Sequence, residues 1–233
     1  MRIIQIRFFL VLFMLQSLML LQAQTINQVV EDARKKLSLI RDYRAEGSMK
    51  TSVSFLKIPE EQVQFLYKSP DVLKIKTKTG VSFVPKGAVS MNVHALLANK
   101  NYMVIDAGAD KINGTAVRVA KLIPIDEKDD MVLSTLYIDP INHIVLRARS
   151  TTKSSGTYEL EMSFAKYKSW GLPDKIVFTF DTKDYKLPKG ITFDFDDGSA
   201  KQSSKKTENT KGTAELRFVS YIINKGINDK LLK

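Results

Sequence analysis

From Thr25 to Ile40, apolar residues recur at helical spacing. Ile26, Val29, Val30, Ala33, Leu37 and Ile40 share one face, which predicts one amphipathic helix. Thr25, with Gln28 three residues later, predicts a capping box at its start. Only one face is apolar, so the helix must lie across something flat or concave.

The period then changes to two. Residues 43–55 read as a first strand. In 61–70, Val63, Phe65 and Tyr67 fall on one face. In 71–80, Leu73 and Ile75 face one way while Lys74, Lys76 and Lys78 face the other, the pattern of a half-buried strand with a basic outer face. A short helix is placed within 89–102, and 115–126 returns to strand. Residues 134–150 read as a hairpin turning at Asp139-Pro140-Ile141-Asn142. In 157–167, Tyr158, Leu160, Met162 and Phe164 oppose Glu159, Glu161 and Ser163. Ile176, Phe178 and Phe180 share a face in 174–182, as do Ile191, Phe193 and Phe195 in 190–198. Residues 212–224 close the set. The stretch 199–211 holds no apolar residue larger than alanine, which predicts a flexible, solvated loop.

Consecutive antiparallel strands with short connections predict a meander, and twist curls so long a sheet. The expected fold class is α+β: an incomplete antiparallel β-barrel with helices lidding an apolar concave face. Such a sheet can enclose a cavity for an acyl chain or other apolar ligand. The pattern alone does not separate that cavity from a filled core.

The first 23 residues have a different character. Arg2 and Arg7 precede a nearly unbroken apolar run from Phe8 to Leu21, and the small residue Ala23 follows. This is the layout of a secretory signal peptide cut near Ala23. The run is too short, and too broken by Gln16 and Ser17, for the roughly 20 apolar residues of a spanning helix. The expected organisation is therefore a signal at 1–23 and one domain over 24–233. The chain has no cysteine. Gln24 stands where a bacterial lipoprotein signal would need one, so acylation by that route is excluded, as are disulfides.

The formal charge is +11 over the whole chain. Losing Arg2 and Arg7 leaves 34 basic against 25 acidic residues, or +9. A basic surface suits anionic membranes, nucleic acid or acidic proteins. For an exported chain, headgroups or acidic protein patches are the expected partners, not nucleic acid. Solubility alone is the plainer explanation.

Chemistry narrows little further. His94 and His143 are the only histidines, and nothing in the spacing brings them together. Asp194, Asp196 and Asp197 fit no complete calcium loop and read as a solvated strand end. Trp170, beside Gly171-Leu172-Pro173, reads as a packing anchor at a turn. No nucleophile elbow, zinc-protease motif or phosphate-binding glycine loop is present. No catalytic residue, metal ligand or cofactor is assigned, and the chain is read as a non-enzyme.

The order of these features resembles the LolA-like family of periplasmic lipoprotein carriers, whose superfamily includes LolB-type receptors and RseB/MucB-type regulators. The resemblance rests on the signal and following helix, on "VQFLYKSPDVLKIK" (63–76), and on "LYIDPINHIVLRAR" (136–149). "YKSWGLPDKIVFTF" (167–180) and the tail "VSYIINKGINDKLL" (219–232) complete it. It implies a cavity that holds the acyl chains of a lipoprotein or lipid, faced by Phe65, Tyr67, Leu73 and Ile75. Leu160, Met162, Phe164, Phe178 and Phe180 are added to that face from period two alone. One departure stands out. LolA-type carriers have an arginine before the turn proline that helps latch the lid; here Ser69 precedes Pro70, with Lys68 before it, and Lys and Arg differ in hydrogen-bond geometry.

Two functions follow from the resemblance. One is a monomeric, soluble periplasmic carrier, taking cargo from an inner-membrane donor towards an outer-membrane acceptor. The alternative is an RseB/MucB-like envelope sensor or binding module without transport.

Overall fold

Thr25 starts the first helix as its spacing predicts. In the computed structural model, which describes residues 24–53, 56–57, 59–77, 93–98, 101–154, 156–181 and 211–232, α1 spans Ile26–Ser38. The Gln28 amide donates to Thr25 Oγ1 over 3.3 Å, satisfying one orphan donor of the first turn. The Gln28 side chain does not complete the box; its Nε2 donates to Asp32 instead. Ile26, Val29, Val30 and Ala33 are buried. Each large aliphatic side chain so buried contributes roughly 1.5–3 kcal/mol, so packing, not helix propensity, holds α1 in place. The signal stretch 1–23 lies outside the described residues.

Period two becomes strands wherever one face meets the core. These are β1 (Asp42–Val53), the two-residue β2 (Leu56–Lys57), β3 (Glu61–Lys68) and β4 (Val72–Thr77), followed by the short α2 (Val93–Ala98). Then come β5 (Tyr102–Ile112), β6 (Thr115–Pro124), β7 (Met131–Asp139), β8 (Ile144–Thr152), β9 (Gly156–Ser163), β10 (Lys175–Asp181) and β11 (Lys211–Ile223). The β7–β8 turn forms as expected: the Ile141 and Asn142 amides donate to Asp139 Oδ1 over 2.9 and 3.0 Å. Burial alone would raise the Asp139 pKa, but these bonds and one from the Asn142 side chain outweigh it and hold it low. The expected strand at 190–198, with its aspartates, Lys78, and the loop 199–210 lie outside the described residues.

The connectivity departs from a single meander. The sheet runs β4-β3-β1-β11-β10-β9-β8-β7-β6-β5, with β2 pairing on β1. Two meanders are joined where the first strand pairs with the last, Tyr43 opposite Ile223. Among the described strands β4 and β5 are the sheet edges, and the sheet is an incomplete, curled antiparallel barrel. Gly47 permits the close β1–β11 approach. A Cβ there would lie 2.2 Å from the Arg217 carbonyl oxygen, beside a register shift at Glu46/Gly47.

Strand β5 was missed in the sequence because it lacks alternation. Residues 105–111 are all exposed. The strand is held by β6 and by its far end, where Ile112 and Val117 bury against Ile144 and Leu146. The two helices close the concave side: α1 packs on α2 and on strands β5 to β8.

Candidate functional site

The concave face gathers its apolar side chains from both arms of the sheet. Strand β3 supplies Phe65, and β4 supplies Leu73 and Ile75. Strand β9 supplies Leu160 and Met162, Phe164 follows just beyond it, and β10 supplies Phe178. These seven line one cavity of about 100 Å³. Leu37 of α1, with Val93 and His94 of α2, forms its lid side. Two of the three buried clusters meet across this space: Leu160 and Phe178 belong to the one under α1, Phe65 and Leu216 to another.

Tyr67 and Phe180 share the concave face but do not border this cavity. Tyr67 is buried at 2 % exposure. Its hydroxyl donates to the Pro70 carbonyl over 3.0 Å, and its ring stacks on Tyr43 at 5.1 Å. It borders a second space of about 70 Å³ between the helices and the β3–β4 turn; Leu37 and His94 are walls of both. Phe180 stacks on Phe178 at 5.5 Å and covers Gly212, where an added Cβ would meet its ring at 2.6 Å. It fills core instead of facing space. Trp170 is not the anchor of its turn. It is 39 % exposed, whereas Leu172, at 1 %, packs inward and lines the cavity.

Several wall residues escaped the sequence reading. Tyr43 of β1 meets Tyr221 of β11 edge-on at 5.4 Å, and Phe218 meets Phe65 at 5.1 Å. Burial pushes the pKa of both Tyr43 and Tyr221 well above the ordinary phenol value. The Tyr221 hydroxyl donates to the Pro173 carbonyl over 2.8 Å. The sequence marks 43–55 as a strand; its meeting with β11 was not legible.

The chain's two histidines both line the cavity, which their spacing did not foretell. His94 is half-buried, its ring 4.6 Å from that of Tyr67. Burial lowers its pKa to about 4, so it stands neutral at pH 7. His143 sits at the β7–β8 turn with φ +54°. Its Nδ1 is buried without a hydrogen-bond partner. The cavity thus offers apolar walls and two imidazoles. Among the described residues no cluster of His, Cys, Asp or Glu could hold a metal ion. No helix among them is long and apolar enough to cross a membrane.

The latch position also becomes concrete. Lys68 points away from the cavity and pairs with Asp229 near the C-terminus at 2.5 Å. The Ser69 amide donates to the Arg41 carbonyl over 2.8 Å. The lid-to-barrel contact at this end is aromatic, through His94, Tyr67 and Tyr43.

No family model and no curated protein matches the sequence. Solved structures do match the shape. A LolA superfamily protein from Nitrosomonas europaea superposes with a TM-score of 0.56 at 13% identity, covering 91% of this chain and 98% of that one. The chain has the LolA-like fold. A DUF1329 family protein from Desulfovibrio piger shares the fold, with a TM-score of 0.54 at 10% identity over 89% of this chain and 97% of that one.

Proposed function

We propose that this chain is a soluble periplasmic carrier that binds the acyl chains of a lipoprotein or lipid and moves them towards the outer membrane. It is exported by the segment 1–23, cut near Ala23, and makes or breaks no bond. The observation that carries this reading is the apolar cavity between the concave sheet and the two-helix lid. An acyl chain of about 16 carbons costs roughly 12 kcal/mol in water, at ~0.8 kcal/mol per CH₂. A carrier must offset that cost and still release its cargo.

The cavity of about 100 Å³ is smaller than the ~300–1,000 Å³ of ordinary ligand pockets. On this reading, taking up a whole acyl chain requires α1 and α2 to lift. Lid residues Leu37 and His94 separate the two spaces, so their displacement joins them.

The test is native mass spectrometry of the protein purified from its own periplasm, followed by organic extraction. A bound lipid or acylated peptide is expected in the wild type. Leu73→Glu places a charge in the wall and should lose it. Val72→Glu, at an adjacent exposed position, should keep it. A clean apo mass, with no lipid taken up from vesicles, would sink the proposal.

A further inference from the structure

The outer face of the sheet carries a larger recess than the inner one. Strand β5 bulges between Asp106 and Ala109, and a bulge bends and twists its strand. Ala107 and Ala109 thereby border a groove of about 540 Å³ over β6 to β9. Its floor includes Val119 and Leu133, and its polar wall includes Lys121, Thr135, Arg149, Thr151 and Thr157.

The register fixes how these groups stand. Lys121 pairs with Thr135, and Thr135 with Arg149. Two strand spacings put the cations' backbones roughly 10 Å apart, with a hydroxyl between them. Both side chains are long enough to converge over it.

The local ion pairs leave these two cations over. Glu159 lies opposite Arg149, yet its carboxylate turns to Arg147, 3.9 Å from Nε. Arg147 also takes Glu161 and lies over the Tyr137 ring. Arg118 pairs with Asp106 at 2.6 Å. Lys121 and Arg149 have no carboxylate partner among the described residues. The one acid among the described wall residues, Asp110, accepts from the Lys111 amide.

We propose that this groove is a second binding site, for a phosphate ester borne on a polyol. A phosphate has the acceptor oxygens to meet an ammonium, a guanidinium fork and the Thr135 hydroxyl together. Thr151 and Thr157, already bonded to each other at 2.8 Å, meet the polyol hydroxyls. The same chemistry occurs in an anionic lipid headgroup and in a free phosphate ester. The site faces away from the acyl cavity, so it engages a headgroup or ester independently of cargo.

The experiment is a titration of the isotope-labelled protein with glycerol 3-phosphate, followed by amide NMR. Saturable shifts are expected at Thr135 and Thr151. Lys121→Gln combined with Arg149→Gln, both at exposed positions, should weaken binding about tenfold or more. Shifts that do not saturate, that chloride reproduces at equal ionic strength, or that survive in the double variant overturn the proposal. Vesicle sedimentation identifies the source. Binding to phosphatidylglycerol but not phosphatidylcholine, lost in the double variant, assigns a lipid headgroup; response to the soluble ester alone assigns a free ester.

Discussion

Tyr67 on β3 and His94 on α2 meet with ring centroids 4.6 Å apart, joining the barrel to its lid. The hydrogen bond from Tyr67 to the Pro70 carbonyl fixes one ring, and Tyr43 flanks both. A charge arriving on His94 would fall inside this aromatic stack.

Acid should therefore loosen the lid. In the folded chain His94 titrates at about 4; unfolded, it titrates near 6.5. Between those values the unfolded chain binds a proton that the folded chain does not. Stability is complete above about pH 6.5, falls as pH drops through that window, and levels off below about 4. The loss is on the order of 2 kcal/mol. Urea midpoints at pH 7.5 and 4.5 should show it, and His94→Phe should remove that part of the difference.

Asn224 ties the last strand to the start of the first. Its Oδ1 accepts from the Arg41 amide at 2.8 Å, and its Nδ2 donates to the Leu39 carbonyl at 2.8 Å. It also holds φ +56°. Asn224→Ala loses the bonds and strains the backbone, for about 2 kcal/mol. Asn224→Gly keeps the conformation and should lose less. Thermal melts should place the alanine variant about 4–8 °C below wild type, with the glycine variant between them. Equal melting of all three would show that the clasp is idle.

Gly47→Ala should be among the costliest small changes in the sheet. The added methyl meets the Arg217 carbonyl, a backbone atom that cannot turn aside. A loss of roughly 2 kcal/mol or more is expected, read as a lower urea midpoint. Hydrogen exchange should be faster at the β1–β11 pairs near Gly47, with β7–β8 little changed.

His143 offers a test that separates turn from wall. At φ +54° asparagine is tolerated and a β-branched residue is not. His143→Asn should fold within about 1 kcal/mol of wild type, whereas His143→Val should lose about 2 kcal/mol. If the imidazole contacts cargo, His143→Asn should also change lipid uptake from vesicles at nearly unchanged stability.

Much of the concave face was legible because alternation reports which side of a sheet a residue takes. Leu160 and Met162 needed no more than that. Alternation does not report what stands opposite. Phe180 and Phe178 lie on one side of β10, yet Phe180 closes over Gly212 and only Phe178 borders space. Tyr67 lies on the same inward face, but its neighbours from α1 and α2 put it in the smaller space and not in the cavity.

By itself, the sequence determined the helix that opens at Thr25, though its spacing ran on to Ile40 and the helix stops at Ser38, together with the faces of most strands, the Asp139 turn and the absence of any disulfide, since these depend on local period and residue type. Only the tertiary structure decided that β1 pairs with β11, that β5 is a strand, and that His94 and His143 share one cavity. It also decided that Lys121 and Arg149 are left without carboxylates among the described residues, above an open groove. Those outcomes are set by long-range strand pairing and by which partner each charge finds, and neither is encoded in the spacing of residues along one segment.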